Sequence, residues 1–414
     1  MTRQATKSAA RIVVAAIAIQ LSFAPIAQGY IRDFIVPASG GCPVVERQNI
    51  SASAPELTRQ WSTSLPDIKP PVVVTAAAQG TATQLDEIEN AITAAYAIWS
   101  GVSGTLLNAN NFPTALGLLN RTATQNACSP DPINATQSGI DGVNTICFNQ
   151  SSSAFTTGVL SFTRIVIANA PGQIFSGAPP AAFTGQIVDA DIYFRNDGQA
   201  TFATPEALPS APGAYDLQSL LAHELGHVFG LDHSAVWRAM MFPFAPSPGT
   251  FTGDRPSATS LDAPLADDDR AGLRSLYPDP ADAANVGYIG GRVLPANPFA
   301  LADFPATSPG EYVTGIFGSQ VVAVDASDGS VFAAALGGWS CDPSAPTPIV
   351  KFDGSYTLGP LPIGRSYVLY AEPFVGIVPP SDIAGAVSGL CATGAANSCT
   401  LPTVNTNFMP RIKQ

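Results

Sequence analysis

Histidine is almost missing from this chain. Three occur in 414 residues, and all three fall between His223 and His233. More than one metal site built from histidines is therefore excluded. Charge is scarce as well: Asp, Glu, Lys and Arg make up 12%, with 19 basic against 31 acidic side chains and a net charge of −12. No basic surface can be assembled to offset phosphate repulsion, so nucleic acid is excluded as a partner. Beyond residue 29 no stretch is long and apolar enough to span a bilayer, and no stable membrane insertion is expected. No internal repeat stands out, and no residue pattern points to an oligomeric state.

What the chain does have is 36 glycines, 37 prolines and 46% apolar residues. That mixture fills ordinary cores and favours strands and turns. The length suggests two folded domains plus extensions. At the N-terminus, Arg3, Lys7 and Arg11 precede an apolar run from Ile12 to Ile19 that Leu21 to Ala27 extends. Small residues at Ala27 and Gly29 complete the pattern of an export signal over residues 1–29, with a mature start at Tyr30. Its removal takes away three basic and no acidic side chains, so the net charge goes from −12 to −15. A secreted, extracellular protein is expected. The six cysteines suit that compartment. Cys128 and Cys147 flank one loop, Cys391 and Cys399 another, which leaves Cys42 and Cys341; fifteen pairings remain open.

The stretch His223–His233 reads H-E-L-G-H-V-F-G-L-D-H. Asp216 can cap a helix that starts at its neighbour. On that helix His223 and His227 leave the same face one turn apart. Glu224 lies beside that face, where a carboxylate can reach water activated at a metal without being a ligand. Gly230 can stop the helix by taking the left-handed conformation, and the chain can then bring His233 back as a third nitrogen. Three neutral imidazoles with one open position describe a catalytic rather than a structural zinc. A site with a glutamate as third ligand has no obvious candidate, because the first glutamate after His227 is Glu311.

The pattern H-E-x-x-H-x-x-G-x-x-H resembles the metzincin signature, and its L-D-H-S tail resembles the matrixin branch. Ala239-Met240-Met241-Phe242-Pro243 is similar to that family's methionine turn, with Met241 in the methionine position. Leu265 to Leu273 resembles the family's last helix with its paired aspartates, and Ala91 to Val102 its first. The likeness covers residues 66–279. It implies an α+β catalytic domain with a twisted mixed sheet, an active-site helix and a small C-terminal subdomain. The implied activity is zinc-dependent cleavage of protein or peptide substrates, with His223, His227 and His233 on the metal and Glu224 as general base and acid. By the same resemblance Met241 forms an apolar floor, and Asp268 and Asp269 anchor the last helix. Cys42 raises the question of a zymogen thiolate, but Ser39 to Val44 lacks the arginine and the Gly-x-Pro-Asp setting of that switch. A structural disulfide is the better reading. Pro243-Phe244-Ala245 also departs from the family, which often has tyrosine two residues after the proline.

Elsewhere, residues 30–65 read as an N-terminal extension and Val72 to Thr75 as a strand. From Thr83 to Trp99 apolar positions recur at helical spacing, with Trp99 as a core residue. Val143 to Phe148, Val159 to Ala168 and Ile187 to Phe194 read as strands; the matrixin resemblance implies that the second includes the edge strand beside the cleft, able to pair with an extended peptide. Asp189, Asp191, Asn196 and Asp197 could bind calcium, or could simply be solvated. After Tyr277 comes a Pro/Asp/Ala linker. Residues 286–378 then show short β runs, with Asp328-Gly329 and Asp353-Gly354 as hairpin signals, which favours an all-β sandwich. Phe352 to Leu358 resembles the carboxypeptidase regulatory-like sandwiches, and residues 379–414 form a tail. On these boundaries residues 30–282 are expected to fold alone. The alternative from another class is an extracellular binding or adhesion protein whose metal site is silent or only self-processing.

Overall fold

The computed structural model describes residues 28–32, 34–49, 59–62, 82–107, 119–122, 140, 142, 144–150, 155, 157–175, 180–195, 197–234, 239–250, 265–295, 315–329, 331–345, 350–373 and 411–413. The export signal up to residue 27, the Val72–Thr75 strand, Cys128, Cys391, Cys399, Asn196 and most of the tail lie outside them.

The architecture is α+β. A mixed sheet is centred on Gln186–Arg195, which runs parallel to Asn144–Gln150 and to Arg47–Gln48, with Arg59–Ser62 and Leu119–Thr122 further out. Ser161–Ile167 pairs antiparallel on the other side of Gln186–Arg195, from Ser161 opposite Phe194 to Ile167 opposite Ile187. It is an edge strand, since no described strand pairs with its far side. Gln186–Arg195 is buried on both faces, under the helices on one side and against Phe155 and Phe162 on the other.

Two long helices pack together on this sheet. Ala82–Ser100 buries Ile88, Ile92, Ala95 and Trp99, one stripe at three- and four-residue spacing. Trp99 is a core residue, and its indole N–H donates to the Ala222 carbonyl at 2.8 Å, tying this helix to Leu217–Val228. The third helix, Asp267–Leu276, packs against Val331–Gly337 and Ser355–Pro362.

From residue 286 onward all regular structure among the described residues is strand. Val286–Arg292 pairs antiparallel with Ser355–Pro362. A second, antiparallel sheet has the order Leu231–Ser234, Gln28–Arg32, Val331–Gly337, Ser319–Asp325, Tyr367–Pro373, Arg411–Lys413. Asp328-Gly329 turns the hairpin between Ser319–Asp325 and Val331–Gly337, with Gly329 at φ +77°. Asp353-Gly354 does not make the expected hairpin. Val350–Lys351 pairs with Ser340–Cys341 instead, and the left-handed Gly354 (φ +76°) lets the Val293 carbonyl come too close for any side chain.

The sequence break after Tyr277 is not a break in packing. Val321, Ala323, Ala333, Ala335, Leu358 and Leu361 belong to the same core cluster as Leu217, Leu225 and Leu273. Asp268 accepts from the Ala334 N–H at 3.1 Å. Cys42 and Cys341 form a disulfide across 299 residues, which settles the question of Cys42 in favour of a structural role. Cys147 is also in a disulfide. Composition reports the linker but not which faces meet across it, so independent folding of residues 30–282 stays an expectation for measurement, set against this shared packing. A chain of residues 30–282 should melt roughly 5–20 °C below the full protein, since the lost disulfide alone is worth about 2–5 kcal/mol. Near-UV circular dichroism melts of the two chains check this.

Burial, reinforced by the neighbouring Asp269 carboxylate, pushes the Asp268 carboxyl up to about 7. A raised carboxyl favours the folded state below the unfolded value and loses that contribution as pH rises through about 7. Asp268→Asn, which cannot ionise, should therefore gain stability relative to the parent between pH 4 and 8, by on the order of 2–4 kcal/mol. Urea midpoints of both proteins across that range give the difference.

Candidate metal centre

The helix Leu217–Val228 begins as its sequence requires. Asp216 is the N-cap, and its carboxylate accepts from the Gln218 and Ser219 backbone N–H groups. At the other end the free carbonyls find partners: Val228 accepts from the Gln48 side-chain amide at 3.0 Å and Phe229 from the Tyr277 hydroxyl at 2.7 Å. Gly230 then turns at φ +92°, where an added Cβ would strike the Glu46 carbonyl oxygen. The chain returns as Leu231–Ser234 and delivers His233.

One ligand nitrogen from each of His223, His227 and His233 lies within 4.8 Å of the others, so the three could hold a metal ion. It is the one such group of His, Cys, Asp or Glu among the described residues. Ring centroids are 5.0 to 5.3 Å apart. His223 Nδ1 lies 2.8 Å from the Met240 carbonyl oxygen and His227 Nδ1 2.8 Å from that of Leu231. Each carbonyl can only accept, so Nδ1 carries the proton and Nε2 keeps its lone pair for a metal. Burial, with His227 nearby, holds His223 down to about 4. Burial, then His227 and His223, holds His233 down to about 2. Neutral imidazole is the form a metal needs, so the donor set fits zinc.

Glu224, 3% exposed, sits one position along from His223. Both of its carboxylate oxygens are engaged: Ser161 Oγ donates to one and Thr163 Oγ1 to the other, each at 2.7 Å. These two residues come from the edge strand, and with the histidines they line a cleft of about 740 Å³. Sequence reasoning missed them. Their i, i+2 spacing placed them on one face of a strand, but nothing local says that this face meets Glu224.

Beneath the histidines, Asp269 accepts from the Met240 N–H at 2.7 Å and the Met241 N–H at 3.1 Å. Asp268 accepts from the Ser234 hydroxyl, next to His233, as well as from Ala334. The paired aspartates therefore hold the methionine turn and the His233 strand in addition to their own helix. Met241 is fully buried. The helix passes so close above it that a Cβ on Gly226 would collide with the Met241 sulfur and stand 3.0 Å from the Trp99 ring.

Among the described residues, the calcium candidates Asp189, Asp191 and Asp197 form no metal-binding cluster. Asp189 accepts from the Gly142 N–H, Asp191 from the Thr145 N–H and the Tyr193 hydroxyl, and Asp197 pairs with Arg195. Backbone and side-chain donors use the oxygens that the sequence left open for a cation.

Residues 172–278 match the family model for Matrixin. That stretch contains the strand Gln186–Arg195, the three histidines, the methionine turn and the last helix. Over 89 residues the chain is 36% identical to Metalloendoproteinase 1 of Glycine max, covering 22% of this chain and 24% of that protein. The chain thus spans about a quarter of the length of that curated relative. Together these likenesses support a matrixin-like metzincin domain in this part of the chain.

Gly226→Ala tests the tight floor directly. The forced shift of Met241 or Trp99 should destabilise the fold by about 1–3 kcal/mol, the usual range for overpacking. A loss of unfolding free energy from urea melts below a few tenths of a kcal/mol would show that the helix and the methionine turn are not in contact.

Proposed function

We propose that this chain is a secreted zinc endopeptidase. The observation that carries the reading is the meeting of three imidazole nitrogens within 4.8 Å beside a buried carboxylate at the next helix position. His223, His227 and His233 would hold the metal. Zinc, when bound, supplies Lewis acidity that acidifies water and polarises a carbonyl oxygen. Glu224 takes the proton of the attacking water and passes it to the leaving amine, acting first as base and then as acid. The edge strand Ser161–Ile167 offers free main-chain groups to an extended peptide lying in the cleft. Protein or peptide is thus the substrate class, aligned mainly through its backbone. Met241 has no chemical step.

The export signal over residues 1–29 supports secretion. Strand Gln28–Arg32 spans the expected cleavage point: Gln28 and Gly29 pair with Leu336 and Ala335, while Tyr30 and Arg32 pair with Ser234 and Leu231. A mature chain starting at Tyr30 keeps the pairing beside His233. The strands after residue 286 read as a sandwich-like domain, to which we assign no chemistry. Calcium has no part in this proposal.

Glu224→Ala and His233→Ala should fail differently. Glu224→Ala keeps about one zinc per chain, since all three nitrogens remain. It loses peptide hydrolysis by at least roughly a hundredfold, the low end of what general acid–base catalysis supplies. His233→Ala lowers zinc affinity and activity together. Metal content by mass spectrometry, beside casein zymography and peptide kinetics, reads both. Chelation should abolish activity in the parent and added zinc restore it. A parent protein that binds zinc but cuts nothing outside itself would favour the binding-protein alternative.

A further inference from the structure

The general base proposed above is held by a strand rather than by its own helix. Ser161 and Thr163 share one face of Ser161–Ile167, the face turned to Leu217–Val228. Each hydroxyl takes one oxygen of Glu224 at 2.7 Å, the length of a charge-assisted O–H···O bond. Thr163 Oγ1 also lies 3.1 Å from the Glu224 carbonyl oxygen, so it spans side chain and main chain of the same residue. The strand is itself pinned from its other face. Phe162 stacks on Tyr193 at a centroid distance of 5.2 Å and meets Phe155 edge-on at 5.1 Å.

We propose that Ser161 and Thr163 are positioning residues, which fix the plane of the Glu224 carboxylate from the strand that would align the peptide. This rests on the hydrolase reading above. A carboxylate offers about four acceptor sites, and two hydroxyls occupy one on each oxygen. Each oxygen keeps a lone pair for the proton it must take. An unclamped glutamate at this helix position would sample several rotamers, and only a fraction would face the water. Substrate register and base orientation then share one rigid element. A peptide paired with Ser161–Ile167 is set relative to Glu224 without any movement of the helix.

The test uses Ser161→Ala, Thr163→Val, the double variant and Thr163→Ser in the full chain, read by kcat and KM on a short peptide. Zinc content and melting temperature are measured on each. The expected result is a kcat lower by roughly tenfold in each single variant and by about thirty- to a hundredfold in the double. KM should stay within about twofold and zinc at one per chain, with Thr163→Ser recovering most of the loss, because only proton transfer is impaired. In a Glu224→Ala background the same changes should have no further effect, since their only target is gone. A double variant with parental kcat would overturn the proposal. So would a loss that persists without Glu224, or one that tracks zinc content or melting temperature. Should Glu224→Ala itself retain turnover, the hydrolase reading falls; should it lose turnover while the hydroxyl variants do not, only this inference falls.

Discussion

Two adjacent buried carboxylates hold the three-histidine cluster together. Asp269 accepts the N–H groups of Met240, Met241 and Ala266, so one side chain caps its own helix and fixes the methionine turn. The Met240 carbonyl, placed by that bond, orients the His223 ring. Asp268 reaches Ser234 beside His233 and the Ala334 N–H of the strand behind. Burying two carboxyl groups side by side is costly unless donors meet them. Here donors come from segments far apart in the chain, so satisfying the carboxylates forces those segments together. Truncation of either aspartate to Ala would loosen a histidine of the cluster and leave at least one buried backbone N–H without its acceptor.

Close packing performs the same service above the turn. Gly226 lets the helix lie against Met241 and Trp99, and Gly230 lets the chain pass under the Glu46 carbonyl. The first acts through the lack of a Cβ, the second through a left-handed backbone as well. Gly230 turns the chain between His227 and His233. The site is therefore rigid by contact on one side and by hydrogen bonding on the other. The edge strand contributes a third constraint through Ser161 and Thr163, which reach the carboxylate that the helix presents.

The reach of the C-terminal strands into the core that carries the histidines changes how the chain's parts relate. Ala334 donates to Asp268, and Cys341 is bonded to Cys42. A substitution among the β runs after residue 286 can disturb the histidine cluster through these links without touching a histidine. Proline and aspartate after Tyr277 mark a flexible join in composition, yet the apolar faces on either side form one core.

The sequence by itself determined the local parts of this protein. Asp216 as N-cap, Gly230 as the stop, the one-turn spacing of His223 and His227, and the apolar stripe ending at Trp99 are set by backbone sterics and helical period. They were legible because each depends on residues within a turn or two of one another. The Asp328-Gly329 hairpin was legible for the same reason. Tertiary structure alone decided which carbonyls orient the histidines, that Asp189, Asp191 and Asp197 spend their oxygens on the protein, and that Asp353-Gly354 bends under a neighbouring strand. It also decided that Ser161 and Thr163 meet Glu224 across 63 and 61 residues. A hydroxyl or carboxylate carries no mark of its partner in the chain, because that partner is chosen by which faces pack together once the apolar surface is buried.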